Sequence, residues 1–433
     1  MMAEKLDIIL FGVTGFTGKH ALKYVHKFSS ARGRHLTWGV AGRNESRIRA
    51  ILTDLEKETE DASIAKVPII LADLSDPQTI QNMASRARLI INCCGPYRFM
   101  GETVVKACVE AGTHHVDVSG EPMFMEKMQL EYNEKAKEKG IYIVSACGLD
   151  SIPCDLGLIF LQKKFEGTLN SVETFLKTGT EDPSLTGPAI NYGTWESAVY
   201  GVATADQLRP LRSKLFSKKL PKLEPRLATN KLPFKAPIDD EWAVVFPGSD
   251  RSVMIRTQRY LYEEKKQRPV QVQTYFLVAT FWQLMILGVF GIIFALLSKF
   301  QFGRNLLLKY PSLFSGGAFD TKEPSEEVIE KSWFKISLVG KGWKEKLAGP
   351  EDQYKNPPNK GILAEVRGKN PGYGSTCICL VLAGIVILTE PSNLPKAGGV
   401  YSPGATFSET SLIEQLDENG VTFKVIKEYD INE

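Results

Sequence analysis

Residues 5–18 read KLDIILFGVTGFTG: an apolar run closed by Gly12, then glycines at 15 and 18, with a helical pattern of apolar positions continuing to about residue 29. A short apolar run that stops at glycine reads as a buried strand, and the three-to-four spacing after it as an amphipathic helix. Strand, turn and helix therefore follow one another directly. The turn has the spacing G-x-x-G-x-x-G. Glycines without a Cβ let such a turn tighten and let its backbone approach a pyrophosphate, whose charge sits against the unpaired N–H groups of the helix N-terminus. Gly12, Gly15 and Gly18 supply these positions, Thr14 and Thr17 add hydroxyl donors, and Phe16 lies between them. Glycine turns also serve packing alone, so the reading depends on what surrounds the turn.

Around it the chain alternates. Strand-like runs recur at 36–41 (LTWGVA), 67–72 (VPIILA), 88–93 (RLIINC), 115–118 (HVDV) and 141–146 (IYIVSA), separated by charged helical stretches. Strands that are apolar on both faces and alternate with helices predict the α/β class, with a doubly wound parallel sheet forming a Rossmann domain over residues 1–150. Ligands meet such sheets at the carboxyl ends of the strands. After the second strand, where an NAD site places an acid on the ribose 2′-hydroxyl, this chain has Arg43. A guanidinium there suits a 2′-phosphate, so the expected cofactor is NADP rather than NAD. Asp73 and Leu74 follow the third strand, where the adenine is expected, although Asp73 reads equally well as a helix cap. Gly95 and Pro96 follow the fourth, near the expected nicotinamide ribose. Cys93 and Cys94 have no base close in sequence and read as packing.

Composition sets bounds on function. With 433 residues, 43% hydrophobic and 24% charged, the chain is a folded one of more than one domain. Its 53 basic and 50 acidic residues leave a net +3, which gives no support to nucleic-acid binding by charge. Seven scattered cysteines point to a reducing compartment rather than a disulfide framework. The close pairs Cys93/Cys94 and Cys377/Cys379 have no histidine companions, so no metal site is expected. The opening MMAEKLDIILFG lacks the features of a secretory signal, which points to the cytosol.

The second half, 151–433, reads as a second lobe with an apolar segment at 270–298. Residues 276–297 (FLVATFWQLMILGVFGIIFALL) carry only Thr280 and Gln283 as polar interruptions. As a helix these 22 residues would measure about 33 Å, enough to cross a hydrocarbon core of about 30 Å. Basic residues flank both ends, Lys265, Lys266 and Arg268 before and Lys299, Arg304 and Lys309 after, so no charge asymmetry sets an orientation. A crossing would also put roughly 130 following residues, which still read as the same lobe, on the far side. Insertion into one leaflet, bent near Gly288 and Gly291, is the expected mode, at a lipid droplet or the cytosolic face of a membrane. Residues 207–235 hold nine basic side chains against Glu224 alone and read as an extended basic loop, either solvated or facing anionic lipid. Its two aromatics, Phe216 and Phe234, are too few for stacking on nucleic-acid bases. The apolar run 375–388 reads as a buried helix of this lobe, with Ser375 as its cap.

Five separated segments in order carry a family resemblance: IILFGVTGFTGKHALKYV, AGRN, NCCGPY, VDVSGE at 116–121 and CGLDSIPCDLG at 147–157. Together they resemble the saccharopine dehydrogenase family, most strongly over residues 1–165. The resemblance implies an NADP-binding Rossmann domain followed by a mixed α+β lobe, 151–433, that supplies dimer contacts and a substrate pocket. In the lysine-pathway members it implies oxidoreduction at a carbon–nitrogen bond. The apolar segment and basic loop depart from what a small, multiply charged amino-acid adduct needs. Some bacterial relatives are similar to enoyl reductases of lipid precursors, which makes apolar substrates an expectation by analogy.

Hydride transfer also calls for a proton donor. His20, His26 and His35 lie away from the strand ends, and His114 and His115 enter the fifth strand at its amino end. Tyr97, Asp117, Ser119, Glu121 and Asp150 lie at carboxyl edges, but capping or turn roles suit each better, and no catalytic residue is assigned. Three readings follow: an NADP-dependent oxidoreductase at a lipid surface acting on a hydrophobic substrate, a soluble-type amino-acid dehydrogenase, and a nucleotide-binding scaffold without turnover. The second needs arginines to clamp carboxylates, and only Arg98 sits near the right edge.

Overall fold

In the computed structural model of the protein, residues 5–149, 151–185, 187–188, 190–347, 349–354 and 356–431 are described. They fall into two compact units: Met1–Gly148 with Tyr373–Tyr401 and Glu409–Leu412, and Leu149–Gly372 with Ser402–Ser408 and Ile413–Glu433. The chain leaves the first unit near the expected boundary at 150, but later stretches return to it.

The first unit is built on strands β1 (Leu6–Phe11), β2 (Trp38–Gly42), β3 (Ile69–Leu71), β4 (Ala87–Asn92), β5 (His114–Asp117) and β6 (Tyr142–Val144). With the strand Gly399–Tyr401 at one edge, they form a seven-stranded sheet in the order Gly399–Tyr401, β6, β5, β4, β1, β2, β3. Every pairing is parallel. Ile8, Ile9 and Leu10 of β1, an interior strand, are completely buried, as a strand covered on both faces requires. Helices α1 (Phe16–Ser30), α2 (Glu45–Thr59), α3 (Pro77–Ser85), α4 (Tyr97–Ala111) and α5 (Pro122–Glu138) connect the strands. In α1 the apolar spacing turns Ala21, Leu22, Val25 and Phe28 inward. The Asn44 side chain accepts the Arg47 N–H at the start of α2, and the Asp76 side chain accepts the Gln78 N–H at the start of α3.

The buried helix expected at 375–388 is present as Thr376–Thr389, but it belongs to the first unit rather than the second lobe. It packs on β4, β5 and α1. A Cβ on Gly384 would lie 2.8 Å from Leu89 Cδ2, so glycine lets this helix close on the sheet. Parallel strands need helices on both faces, and this late segment supplies part of that cover.

The second unit carries a mixed seven-stranded sheet in the order Thr422–Asp430, Lys360–Lys369, Ser332–Trp343, Thr168–Thr180, Gln271–Val278, Trp242–Val245, Phe234–Lys235. Only the Thr168–Thr180 and Gln271–Val278 pair is parallel. The helix Ile152–Lys164 packs on Ser332–Trp343 and Lys360–Lys369. Phe175, Ala243, Tyr275, Leu277 and Val339 build a further apolar cluster.

The apolar segment divides differently from its sequence reading. Residues up to Val278 complete a strand, and the helix is Phe281–Ser298, 18 residues and about 27 Å rather than 22 residues. Thr280 and Gln283 are not interruptions. They form a reciprocal capping box that starts the helix. The expected bend does not interrupt it at Gly288 or Gly291. Phe294 and Leu297 dock it on Trp195, Val199 and Leu307, with the Trp195 and Phe294 rings 5.0 Å apart. Its other side is bare: Trp282 is 74% exposed and Ile292 64%. The strands before and after the helix both pair with Thr168–Thr180, so the chain on either side of it builds one sheet and the segment does not send the following residues across a bilayer.

The basic stretch 207–235 is not wholly extended. Leu208–Leu215 is a helix, the rest runs irregularly to Phe234–Lys235, and most of its cations are exposed. Lys235 Nζ stands 5.1 Å over the Trp242 ring, which lies 5.9 Å from Phe281 at the start of the apolar helix.

Candidate functional site

The turn between β1 and α1 is set by two glycines that admit nothing larger. Gly12 has φ +86°, and a Cβ on it would lie 2.5 Å from Cys94 Sγ; a Cβ on Gly18 would lie 2.1 Å from the Gly12 carbonyl oxygen. Gly15 differs, being exposed, with only the Gly12 oxygen within reach of a Cβ, at 3.3 Å. Among the described residues no N-cap side chain bonds the start of α1 and its first turn holds no acid, so the partial positive charge of a helix N-terminus stands there. A pyrophosphate fits this arrangement: Gly15 exposed and without a side chain, the positive end of a helix behind it, and half-buried Thr14, Phe16 and Thr17 alongside.

The other expected residues follow the carboxyl ends of adjacent strands. Arg43, directly after β2, is exposed and close enough to Asp73 and Cys94 to act on both. Asp73 Oδ1 accepts from the Ser75 N–H at 2.9 Å and the Ser75 hydroxyl at 2.8 Å, and these bonds, with Arg43, hold its carboxyl below the usual range. Asp73 is thus a turn-forming residue, whatever else it touches. Leu74 is half-buried beside it. Gly95 is exposed and Pro96 is the residue preceding α4. Burial pushes the Cys94 thiol up to about 12 against the pull of Arg43, and burial raises Cys93 as well, so neither is a ready thiolate.

Along the β4 and β5 ends the acid–base candidates are already engaged. Tyr97 donates its hydroxyl to the Asn92 carbonyl at 3.0 Å, and burial with the nearby Asp117 pushes its phenol well above the ordinary value. Asp117 Oδ1 accepts the N–H groups of Ser119 (2.9 Å) and Ala146 (3.2 Å), and Oδ2 accepts the Ser145 hydroxyl at 3.0 Å. It therefore ties the end of β5 to the end of β6. Glu121 accepts from Arg98 Nε at 2.6 Å. Ser119 Oγ is buried and has no hydrogen-bond partner among the described residues, the pattern of a hydroxyl completed by a ligand or water. Asp150 lies outside the described residues.

One contributor was not found from the sequence. Tyr373, in a stretch that reads only as a turn, lies 4.3 Å from the Phe16 ring and 5.2 Å from His20. No local signal in NPGYGS announces a partner some 350 residues earlier; the nearest clue was the apolar helix that follows it.

Comparison with known proteins agrees with this architecture. Residues 8–144 match the family model described as the saccharopine dehydrogenase NADP binding domain. The chain is similar to the human saccharopine dehydrogenase-like oxidoreductase, 39% identical with 98% of each chain covered. It is also similar to a Caenorhabditis elegans protein named lipid droplet localized protein, 35% identical over 99% of this chain and 100% of the other. Among solved structures, apo L-Glu-forming saccharopine dehydrogenase from Saccharomyces cerevisiae shares the fold, with a TM-score of 0.56 at 14% identity, covering 98% of this chain and 100% of that one.

Proposed function

The chain belongs to the saccharopine dehydrogenase family of NADP-binding oxidoreductases, and from that premise we propose that it transfers hydride between NADP and a hydrophobic carbonyl or alkene while docked on a lipid surface. Bound NADPH supplies the hydride. Gly12, Thr14, Gly15, Phe16, Thr17 and Gly18 receive the pyrophosphate, Arg43 the 2′-phosphate, Asp73 and Leu74 the adenine side, and Gly95 and Pro96 the nicotinamide ribose.

The observation that carries the lipid part is the bare side of Phe281–Ser298, an apolar face far larger than scattered surface residues provide. Lys235 near its start and Lys299 directly after it add cations suited to a phospholipid headgroup layer. Insertion of this helix into one leaflet keeps both flanking strands in one sheet. The name of the worm relative supports the surface of a lipid droplet as the location. The amino-acid dehydrogenase reading is weaker because Arg98 is committed to Glu121.

A second reading, nucleotide binding without turnover, draws on the engagement of Tyr97, Asp117 and Glu121 described above. One experiment separates the readings: NADPH oxidation by the full chain on lipid emulsions carrying long-chain aldehydes, ketones or enones, beside amino-acid and keto-acid pairs. Turnover confined to the lipid substrates is the expected result. Turnover confined to amino acids, or NADPH binding with no turnover on any of them, overturns it.

A further inference from the structure

Tyr373 reaches the cofactor turn from far along the chain but within the same compact unit. Its ring is buried, edge-on to Phe16 at 4.3 Å and stacked on His20 at 5.2 Å, while Phe16 and His20 meet each other at 4.9 Å. Four residues on, Cys377 Sγ lies 3.6 Å from the Thr17 carbonyl oxygen. The returning segment thus grips α1 at 16, 17 and 20.

Those are the positions where a grip is needed. Gly12, Gly15 and Gly18 have no side chain to anchor, and glycine carries the greatest backbone freedom. Further along α1, Ala21, Leu22, Val25 and Phe28 are buried in the core, whereas the glycines of the turn carry no side chain that could be. A site held in its binding conformation before the ligand arrives loses less on binding.

We propose that Tyr373 is a positioning residue for the dinucleotide: its ring braces Phe16 and His20, and so holds the first amides of α1 where the pyrophosphate meets them. The cofactor site then includes a residue well beyond the stretch 8–144 matched by the family model. This rests on the assignment of residues 12–18 to the pyrophosphate.

The test is NADPH titration of the full chain by fluorescence, with a thermal melt and hydrogen exchange of the cofactor-free protein, for wild type, Tyr373→Ala, Tyr373→Phe and Ile385→Ala. Ile385 is buried in the helix that follows Tyr373 and does not belong to the ring stack. Loss of an aromatic contact of ordinary strength raises the NADPH Kd about 3- to 10-fold in Tyr373→Ala, with faster exchange at amides 15–19. Tyr373→Phe keeps the wild-type Kd, and Ile385→Ala lowers the melting temperature without changing Kd. An unchanged Kd in Tyr373→Ala overturns the proposal, as does an equal loss in Ile385→Ala, which would mean general loosening. A Tyr373→Phe defect as large as that of alanine also overturns it, by moving the role to the hydroxyl. Wild-type protein that fails to bind NADPH removes the pyrophosphate assignment itself and this proposal with it.

Discussion

Arg98 Nε lies 2.6 Å from Glu121 Oε2, and both side chains are almost wholly withdrawn from solvent. The pair joins the start of α4 to the residue preceding α5, at the carboxyl edge of the first sheet. Removing one member of such a pair leaves the other's charge uncompensated in a poorly solvated place. Glu121→Gln is expected to cost about 3 kcal/mol in urea unfolding, with Arg98→Met added to Glu121→Gln recovering most of it. A loss below about 0.5 kcal/mol would place the pair among weak surface bridges.

Arg43→Ala is expected to remove the preference for NADPH over NADH. A charge-assisted contact to a phosphate corresponds to about 10- to 100-fold in affinity. Equal affinity for the two cofactors in the wild-type chain would refute the 2′-phosphate role.

The two outer glycines of the turn should respond differently from the middle one. Gly18→Ala drives a methyl to 2.1 Å from the Gly12 oxygen and is expected to lower stability by about 1–3 kcal/mol. Gly15→Ala brings a methyl to 3.3 Å from the same oxygen, a milder contact, so it should cost clearly less stability than Gly18→Ala while NADPH affinity falls, because the methyl lies on the exposed side the pyrophosphate approaches. Retained affinity in folded Gly15→Ala would move the phosphate elsewhere.

The apolar helix has two faces with separable effects. Ile286→Asp with Ile292→Asp changes outward residues and should abolish flotation with phospholipid-coated droplets, while stability stays within about 0.5 kcal/mol. Phe294→Ala, at the Trp195 contact, should cost about 2 kcal/mol and leave flotation intact. Continued flotation of the double aspartate variant would mean attachment through another surface.

Asp155 makes stability depend on pH. Burial pushes its carboxyl from 3.8 up to about 7, although Thr257 Oγ1 and the Gly404 N–H each donate to Oδ2 at 2.7 Å and Arg256 pulls the same way as these bonds. Between pH 4 and 7 the folded state keeps a proton that the unfolded chain gives up. Stability from this group is therefore full below pH 4, falls by about 4 kcal/mol as pH rises to 7, and is flat above. Asp155→Asn should remove this slope in urea titrations at pH 5 and pH 8. The same slope in the variant would place the titration on another group.

The sequence disclosed what is local. The first six strands lie within about two residues of their expected places because each is a short apolar run bounded by turn residues, and the β1 turn was readable because its glycines sit beside one another in the chain. What stayed hidden depends on distant partners. Hydropathy marks Thr376–Thr389 as buried but does not say against which sheet, and chain order alone assigns it to the second lobe rather than to the first unit. The run 276–297 joins a strand end to a helix because both are apolar, and the capping box at Thr280 and Gln283, a local sign of the boundary, reads in sequence as two polar interruptions of one apolar segment. Tyr373 was hidden for the same reason, since ring stacking leaves no periodicity.

The split composition of the first unit bears on how the chain comes off the ribosome. When residue 148 emerges, β4 and β5 are complete, yet the helix that covers them is still more than 220 residues from being made. Until then Leu89, Ile91 and Val116, the side chains around Gly384, have no native cover on that face. Nascent chains stopped before residue 373 should therefore be protease-sensitive throughout their first 148 residues and engage holdase chaperones, with resistance arriving abruptly once residue 401 clears the exit tunnel.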